Sequence, residues 1–132
     1  MAAACARRDA SESPHRALYL LDDGERQDRV LAGATQEGVV VIYTSLNTQD
    51  SVPLASAFEK RYGVKTELWR SSSERVVQRA VAEARAGRFT CDVVETNGPE
   101  MEACFREGLL EQFHSPHFTD LAPAAFPAHR YY

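Results

Sequence analysis

The chain has 132 residues, enough for one domain with a sizeable core and too few for two ordinary ones. Hydrophobic residues make up 44% of it and charged residues 26%, an ordinary balance for a globular protein. A net charge of -4 gives no electrostatic footing for nucleic acid, because Lys and Arg sit among acids, as in Glu59-Lys60-Arg61 and Glu83-Ala84-Arg85.

Residues 1–16 are rich in Ala, Arg, Ser and acids, include Pro14, and read as a disordered leader or signal-peptide remnant. Met1 to Ala6 is too short for the apolar region of a signal peptide, yet Ala4-Cys5-Ala6 has the look of a cleavage site. No stretch approaches the roughly 20 apolar residues of a membrane span. The ordered domain is expected over residues 17–132.

A charged helical pattern runs from Gly24 to Gln36, with Val30, Leu31 and Ala34 on one face and Gly38 as its stop. Val39 to Tyr43 is continuously apolar and β-branched, the mark of a strand buried on both faces. A polar loop, Thr44 to Thr48, leads into a helix over Gln49 to Tyr62, with Leu54, Ala57, Phe58 and Tyr62 as its stripe and Gly63 as its end. The second unit is a strand over Val64 to Trp69, a loop over Arg70 to Ser73 and a helix over Glu74 to Ala86. The third is a strand over Cys91 to Glu95, a loop over Thr96 to Pro99 and a helix over Glu100 to Glu107.

Helical connections between apolar strands imply βαβ units and a parallel sheet, so the fold class is α/β. From Glu111 to Tyr132 the period stops, among Pro116, Pro123, Pro127 and scattered aromatics. An aperiodic run of more than about 15 residues is unusual inside a compact domain. Together with three strands and an open edge, it makes the sequence read as an incomplete lobe.

Cys5, Cys91 and Cys104 lack metal-type spacing. Cys91 and Cys104 are expected as small buried thiols; a disulfide between them would need an oxidising compartment and fitting geometry.

In an open parallel sheet, ligands bind beyond the carboxyl ends of the strands, where loops enter helix N-termini. The loops at that edge are rich in small polar groups. They offer Thr44, Ser45 and Asn47, then Arg70, Ser71, Ser72 and Ser73, then Glu95, Thr96 and Asn97. Beside unpaired N–H groups, such side chains cradle an anion or polar ligand. For any one residue, Ser73 or Asn97 for instance, helix capping is the simpler reading; three such loops on one edge favour a site.

No dinucleotide, P-loop or nucleophile-elbow motif is present. His114-x-x-His117 has metal-like spacing, but Pro116 intervenes and a surface loop is expected there. Glu95 reads either as a general base or, more quietly, as a carboxylate held by a neighbouring helix N-terminus. Tyr131 and Tyr132 carry no role.

The same residues carry a family resemblance. Ala17-Leu18-Tyr19 through Ala32 to Gly38, Val41 to Thr48 and Ala57 to Lys65 resemble the start of type II periplasmic solute-binding proteins of ABC importers. Leu68 to Glu74, Ala82 to Arg88 and Asp92 to Gly98 continue the match, and the chain is similar to members for ferric iron. The resemblance implies a periplasmic-binding-protein-like II lobe, here its N-terminal part, in a protein of two lobes that close over a ligand. It implies a periplasmic location, an ABC permease as partner, and no catalysis. In ferric-binding relatives this lobe supplies a His and a Glu at the positions of Asn47 and Asn97, and a Tyr pair comes from the second lobe. No metal ligand is therefore assigned to this chain. Ferric iron bound with an anion would need the second lobe, and a small anionic solute fits the Ser, Thr and Asn loops. A sensory ligand-binding domain or an enzyme on the same fold is the alternative, though no nucleophile–base pair is evident.

Overall fold

The computed structural model describes residues 2–4, 15–21 and 24–126. Its elements are strand β1 (Ala2–Ala4), helices α1 (Arg16–Tyr19) and α2 (Arg26–Glu37), strand β2 (Val39–Thr44), helix α3 (Thr48–Tyr62), strand β3 (Lys65–Arg70), helix α4 (Ser73–Arg85), strand β4 (Val93–Glu95) and helix α5 (Gly98–Arg106). Each expected strand–helix unit is present, most ends falling within a residue or so of the sequence reading. Gly38 at φ 78° and Gly63 at φ 71° end α2 and α3 in the left-handed conformation that glycine adopts without steric cost.

Strand β2 is central and parallel to both neighbours. Val39 to Thr44 register with Lys65 to Arg70, and Ile42 to Thr44 with Val93 to Glu95. The sheet order is β1-β4-β2-β3. Strand β1 runs antiparallel to β4, Ala2 opposite Glu95 and Ala4 opposite Val93, so the sheet is mixed. These three residues lie in the stretch that the sequence presents as a leader; the rest of it up to Pro14, with Cys5, lies outside the described residues.

Strand β4 starts at Val93 rather than at Cys91 because Asp92 departs from regular pairing. Its backbone N–H donates to the Val41 carbonyl at 2.9 Å, while its side chain, not its backbone, accepts from the Val41 N–H at 2.8 Å.

Side chains alternate across the sheet. The row Trp69–Tyr43–Val94 faces α4 and α5, and packs with Val76, Ala80, Met101 and Cys104 into the core. The rows on either side, Leu68–Ile42–Val93 and Arg70–Thr44–Glu95, face α3. Coverage there is thinner. Only Tyr43 and Thr44 of β2 are buried and Val39 is 38% exposed, which corrects the expectation of a strand buried on both faces. The α3 stripe is likewise only partly covered: Leu54 and Ala57 are exposed, while Phe58 and Tyr62 are half-buried, their rings tilted to each other with centres 5.0 Å apart. Cys91 and Cys104 are buried thiols. Among the described residues no helix is long and apolar enough to cross a membrane.

A polar cluster locks α4 to the sheet. The Tyr43 hydroxyl donates to the Glu83 carboxylate at 2.8 Å, and Arg79 Nε donates to the same carboxylate at 2.8 Å. The Arg79 guanidinium lies 4.5 Å from the Tyr43 ring centre and 4.4 Å from that of Trp69, within cation–π range of both. Burial pushes the Tyr43 phenol up to about 12, helped by its hydrogen bond to Glu83 and by that residue's charge. Burial works to raise Glu83 too, but the bonds from Arg79 and Tyr43 outweigh it and hold its carboxyl below the ordinary range.

Beyond α5 the chain turns back along α1 and α2. The His114 N–H donates to the Tyr19 carbonyl at 2.8 Å and Arg26 donates to the His114 carbonyl at 2.7 Å. Short 3-10 turns at Pro116–Asp120 and Pro123–Ala125 replace regular structure. Phe118 fixes them by edge contacts to Phe113 at 5.3 Å and Phe126 at 5.1 Å. His117 is exposed beside Asp120, as befits a surface loop. Glu111, at the head of this segment, is 2% exposed, and among the described residues no group donates to either carboxyl oxygen.

Two outcomes follow from these buried groups. A raised phenol favours the fold below pH 10, and that contribution is lost as pH rises through about 12. Denaturation from pH 8 to 12 should therefore cost the wild type on the order of 2 kcal/mol more than Tyr43→Phe, which has no phenol to ionise. For Glu111, a buried polar group without donors is a cost, so Glu111→Met should raise stability by about 1–3 kcal/mol in the same measurement. A fall would mean that the carboxyl is held by groups the fold does not reveal.

Candidate functional site

The strand register decides what meets at the carboxyl edge of the sheet. Arg70, Thr44 and Glu95 are the last residues of β3, β2 and β4, and they stand side by side in one row. The loops that follow them lead into the N-termini of α4, α3 and α5, so the three polar segments singled out from the sequence leave the sheet together.

Glu95 ties the first loop to the third. One of its carboxylate oxygens, Oε2, accepts from the Thr44 hydroxyl at 2.6 Å and from the Ser45 and Leu46 N–H groups at 3.1 Å each. The Ser45 N–H also reaches the Glu95 carbonyl at 3.1 Å, and the Leu46 N–H reaches the Thr44 hydroxyl at 3.0 Å. Thr44 is 1% exposed, so this web is buried at its root. Of the two roles open to Glu95 in the sequence, this is the geometry of a carboxylate held beside a helix N-terminus.

The second loop is tied to the first twice. Arg70 Nε donates to the Leu46 carbonyl at 2.7 Å, and the Ser71 N–H donates to the Thr44 carbonyl at 3.1 Å. The second and third loops meet where Asn97 Nδ2 donates to Ser73 Oγ at 2.9 Å. All three loops are thus linked in pairs.

Capping is distributed differently from the sequence reading. Neither Ser72 nor Asn97, the cap residues of α4 and α5, bonds a helix N–H through its side chain, and Ser73 lies inside the first turn of α4. Asn47 does cap: its Oδ1 accepts from the Asp50 N–H at 3.0 Å while its Nδ2 donates to the Asp50 carboxylate at 2.6 Å. The reciprocal spacing Asn47-x-x-Asp50 was the sequence signal for this. Ser72 is exposed, whereas Thr96 is 2% exposed and its hydroxyl has no protein partner.

One feature of the edge is invisible in a motif search. Below Thr44 and Glu95 an open apolar groove of about 240 Å³ runs between the sheet and α3, lined by Ile42, Leu46, Leu54, Phe58, Leu68 and Val93. Among the described residues there is no group of three or more His, Cys, Asp or Glu side chains placed to hold a metal ion.

No protein-family model and no curated protein matches the sequence. Solved structures do. Iron-bound HitA from Pseudomonas aeruginosa superposes with a TM-score of 0.63 at 16% identity over 70% of this chain. IdiA (FutA) from Trichodesmium, in complex with iron and citrate, superposes with a TM-score of 0.60 at 19% identity over 71%. The matched part is 30% of the first of those chains and 29% of the second, so this chain spans under a third of either neighbour. At such identities the likeness speaks for architecture. The chain shares the α/β fold of the matched part of these two proteins, the fold class that the sequence resemblance implies.

Proposed function

We propose that the chain is the N-terminal part of the ligand lobe of an extracytoplasmic solute-binding component of an ABC importer. On this reading it receives its solute at the carboxyl edge, over the loops 44–47, 70–73 and 95–97. The observation that carries this is the pairwise linkage of the three loops, on a fold shared with two proteins solved with iron bound. A rigid polar edge presenting hydroxyls, amides and a guanidinium is a recognition surface. The hydroxyl that meets a carboxylate here, Thr44 on Glu95, is buried and its partner also holds two backbone N–H groups, so the pair serves structure and the edge supports binding.

The cargo is iron(III) accompanied by an anion, or a small anionic solute. By the sequence resemblance Asn47 and Asn97 correspond to a His and a Glu of ferric-binding relatives, and Asn47 is committed to Asp50. The edge is therefore not a metal cage. It contributes hydrogen-bond donors to a metal-bound anion, and an opposing lobe would supply the metal's own ligands. Closure of two lobes over the cargo would form the surface that an ABC permease reads.

Ser72 and Ser73 provide the test, because neither side chain caps a helix N–H. If their hydroxyls hold cargo, losing both costs roughly 1.5–3 kcal/mol of binding, a ten- to hundredfold weaker dissociation constant. Calorimetric titration with ferric citrate should find that loss in Ser72→Ala/Ser73→Ala, with a melting temperature close to the parent's. Equal affinity in parent and double variant would remove the second loop from the site.

A further inference from the structure

The first loop is poorly suited to a free anion, although Thr44, Ser45 and Asn47 are small polar residues of the kind that cradle one. A helix N-terminus attracts anions through N–H groups that lack intrahelical partners. Just ahead of α3, at the Ser45 and Leu46 N–H groups that precede its cap Asn47, the protein's own carboxylate already stands. We infer that Glu95 is an internal anion that fills the cradle ahead of α3 and sets the specificity of this edge against free anionic solutes. The inference rests on the reading of this edge as a solute site, and of the cargoes considered there it disfavours a free anion at the first loop.

Several observations converge. Oε2 of Glu95 takes the Ser45 and Leu46 N–H groups together with the Thr44 hydroxyl, three donors of this loop that are thereby withdrawn from an incoming oxyanion. Asn47 takes the Asp50 N–H. Glu95 cannot turn away without breaking a 2.6 Å bond to a buried hydroxyl, so the carboxylate is fixed rather than incidental. Its neighbours deepen the effect. Asp50, Glu74 and Glu100 place carboxylates in the first turns of α3, α4 and α5. The guanidiniums at the same ends are Arg70, whose Nε is engaged by the Leu46 carbonyl, and Arg75 in the first turn of α4. A free phosphate or carboxylate approaching the first loop meets a like charge and no spare donor from Ser45 or Leu46. A cation meets an oriented carboxylate.

The probe is inorganic phosphate, titrated at constant ionic strength into the whole 132-residue chain while backbone amides are followed by NMR. In the wild type the Ser45 and Leu46 amides should stay unmoved into the millimolar range. In Glu95→Gln and Glu95→Ala the same two amides should shift saturably, with phosphate affinity raised at least about tenfold as the cradle opens. Saturable movement of Ser45 and Leu46 in the wild type would overturn the inference, as would folded variants that gain no affinity. If both variants lose the fold, the wild-type amides alone decide. Equal ferric citrate affinity in the parent and in Ser72→Ala/Ser73→Ala, beside unmoved Ser45 and Leu46, would count against the solute reading and leave the role of Glu95 standing.

Discussion

The 2.6 Å hydrogen bond from the buried Thr44 hydroxyl to Glu95 joins the ends of two parallel strands, and the rest of the edge is organised around it. Parallel strands cannot be joined by tight turns, so their ends are held in register only by the ladder and by whatever crosses between the loops. Here Glu95 reaches over from β4 to hold the backbone of the loop after β2, and Arg70 reaches over from β3 to the same loop. The loop before α3 is therefore fixed by both neighbouring strands. That is how a loop rooted in a buried threonine gains the rigidity that recognition needs.

Beneath this edge the two faces of the sheet differ. One is closed by α4 and α5 over Tyr43, Val94, Met101 and Cys104, and sealed by the Tyr43–Glu83–Arg79 cluster. The other is only partly covered by α3, and leaves a groove beside Leu54, which is 64% exposed. Glu111 is a second local conflict, a carboxyl withdrawn from solvent with no donor among the described residues. Sequences that specify a fold are consistent at most positions, and the exceptions are where function or strain is sought.

The parts of this arrangement that follow a period were legible in the sequence. The β-branched run at Val39 to Tyr43, the glycine stops at 38 and 63 and the 3.6-residue stripe of α4 each depend on neighbours close in the chain. What depended on long-range geometry was not. Asp92 delays β4 by using its side chain as an acceptor, and nothing local distinguishes that from an ordinary strand residue. Glu95 and Thr44 lie 51 residues apart, and only the register Thr44↔Glu95 brings them together. Capping was misplaced for a related reason: Ser73 and Asn97 have the right residue type, but each spends its side chain on the other. The pairing of Ala2–Ala4 with β4 had no signal, since three alanines carry neither β-branching nor alternation.

The central claim is that Glu95 holds the first loop as firmly as if it were part of the sheet. Amide hydrogen exchange at single-residue resolution tests it most directly. Protection reports whether an N–H is bonded in the native ensemble, and a bond that persists opens only with the structure around it. Ser45 and Leu46 should exchange as slowly as Thr44 and Tyr43 in the adjoining strand, although both lie outside any helix or strand. Exchange of Ser45 and Leu46 at the rate of an open loop, while Tyr43 stays protected, would contradict the account.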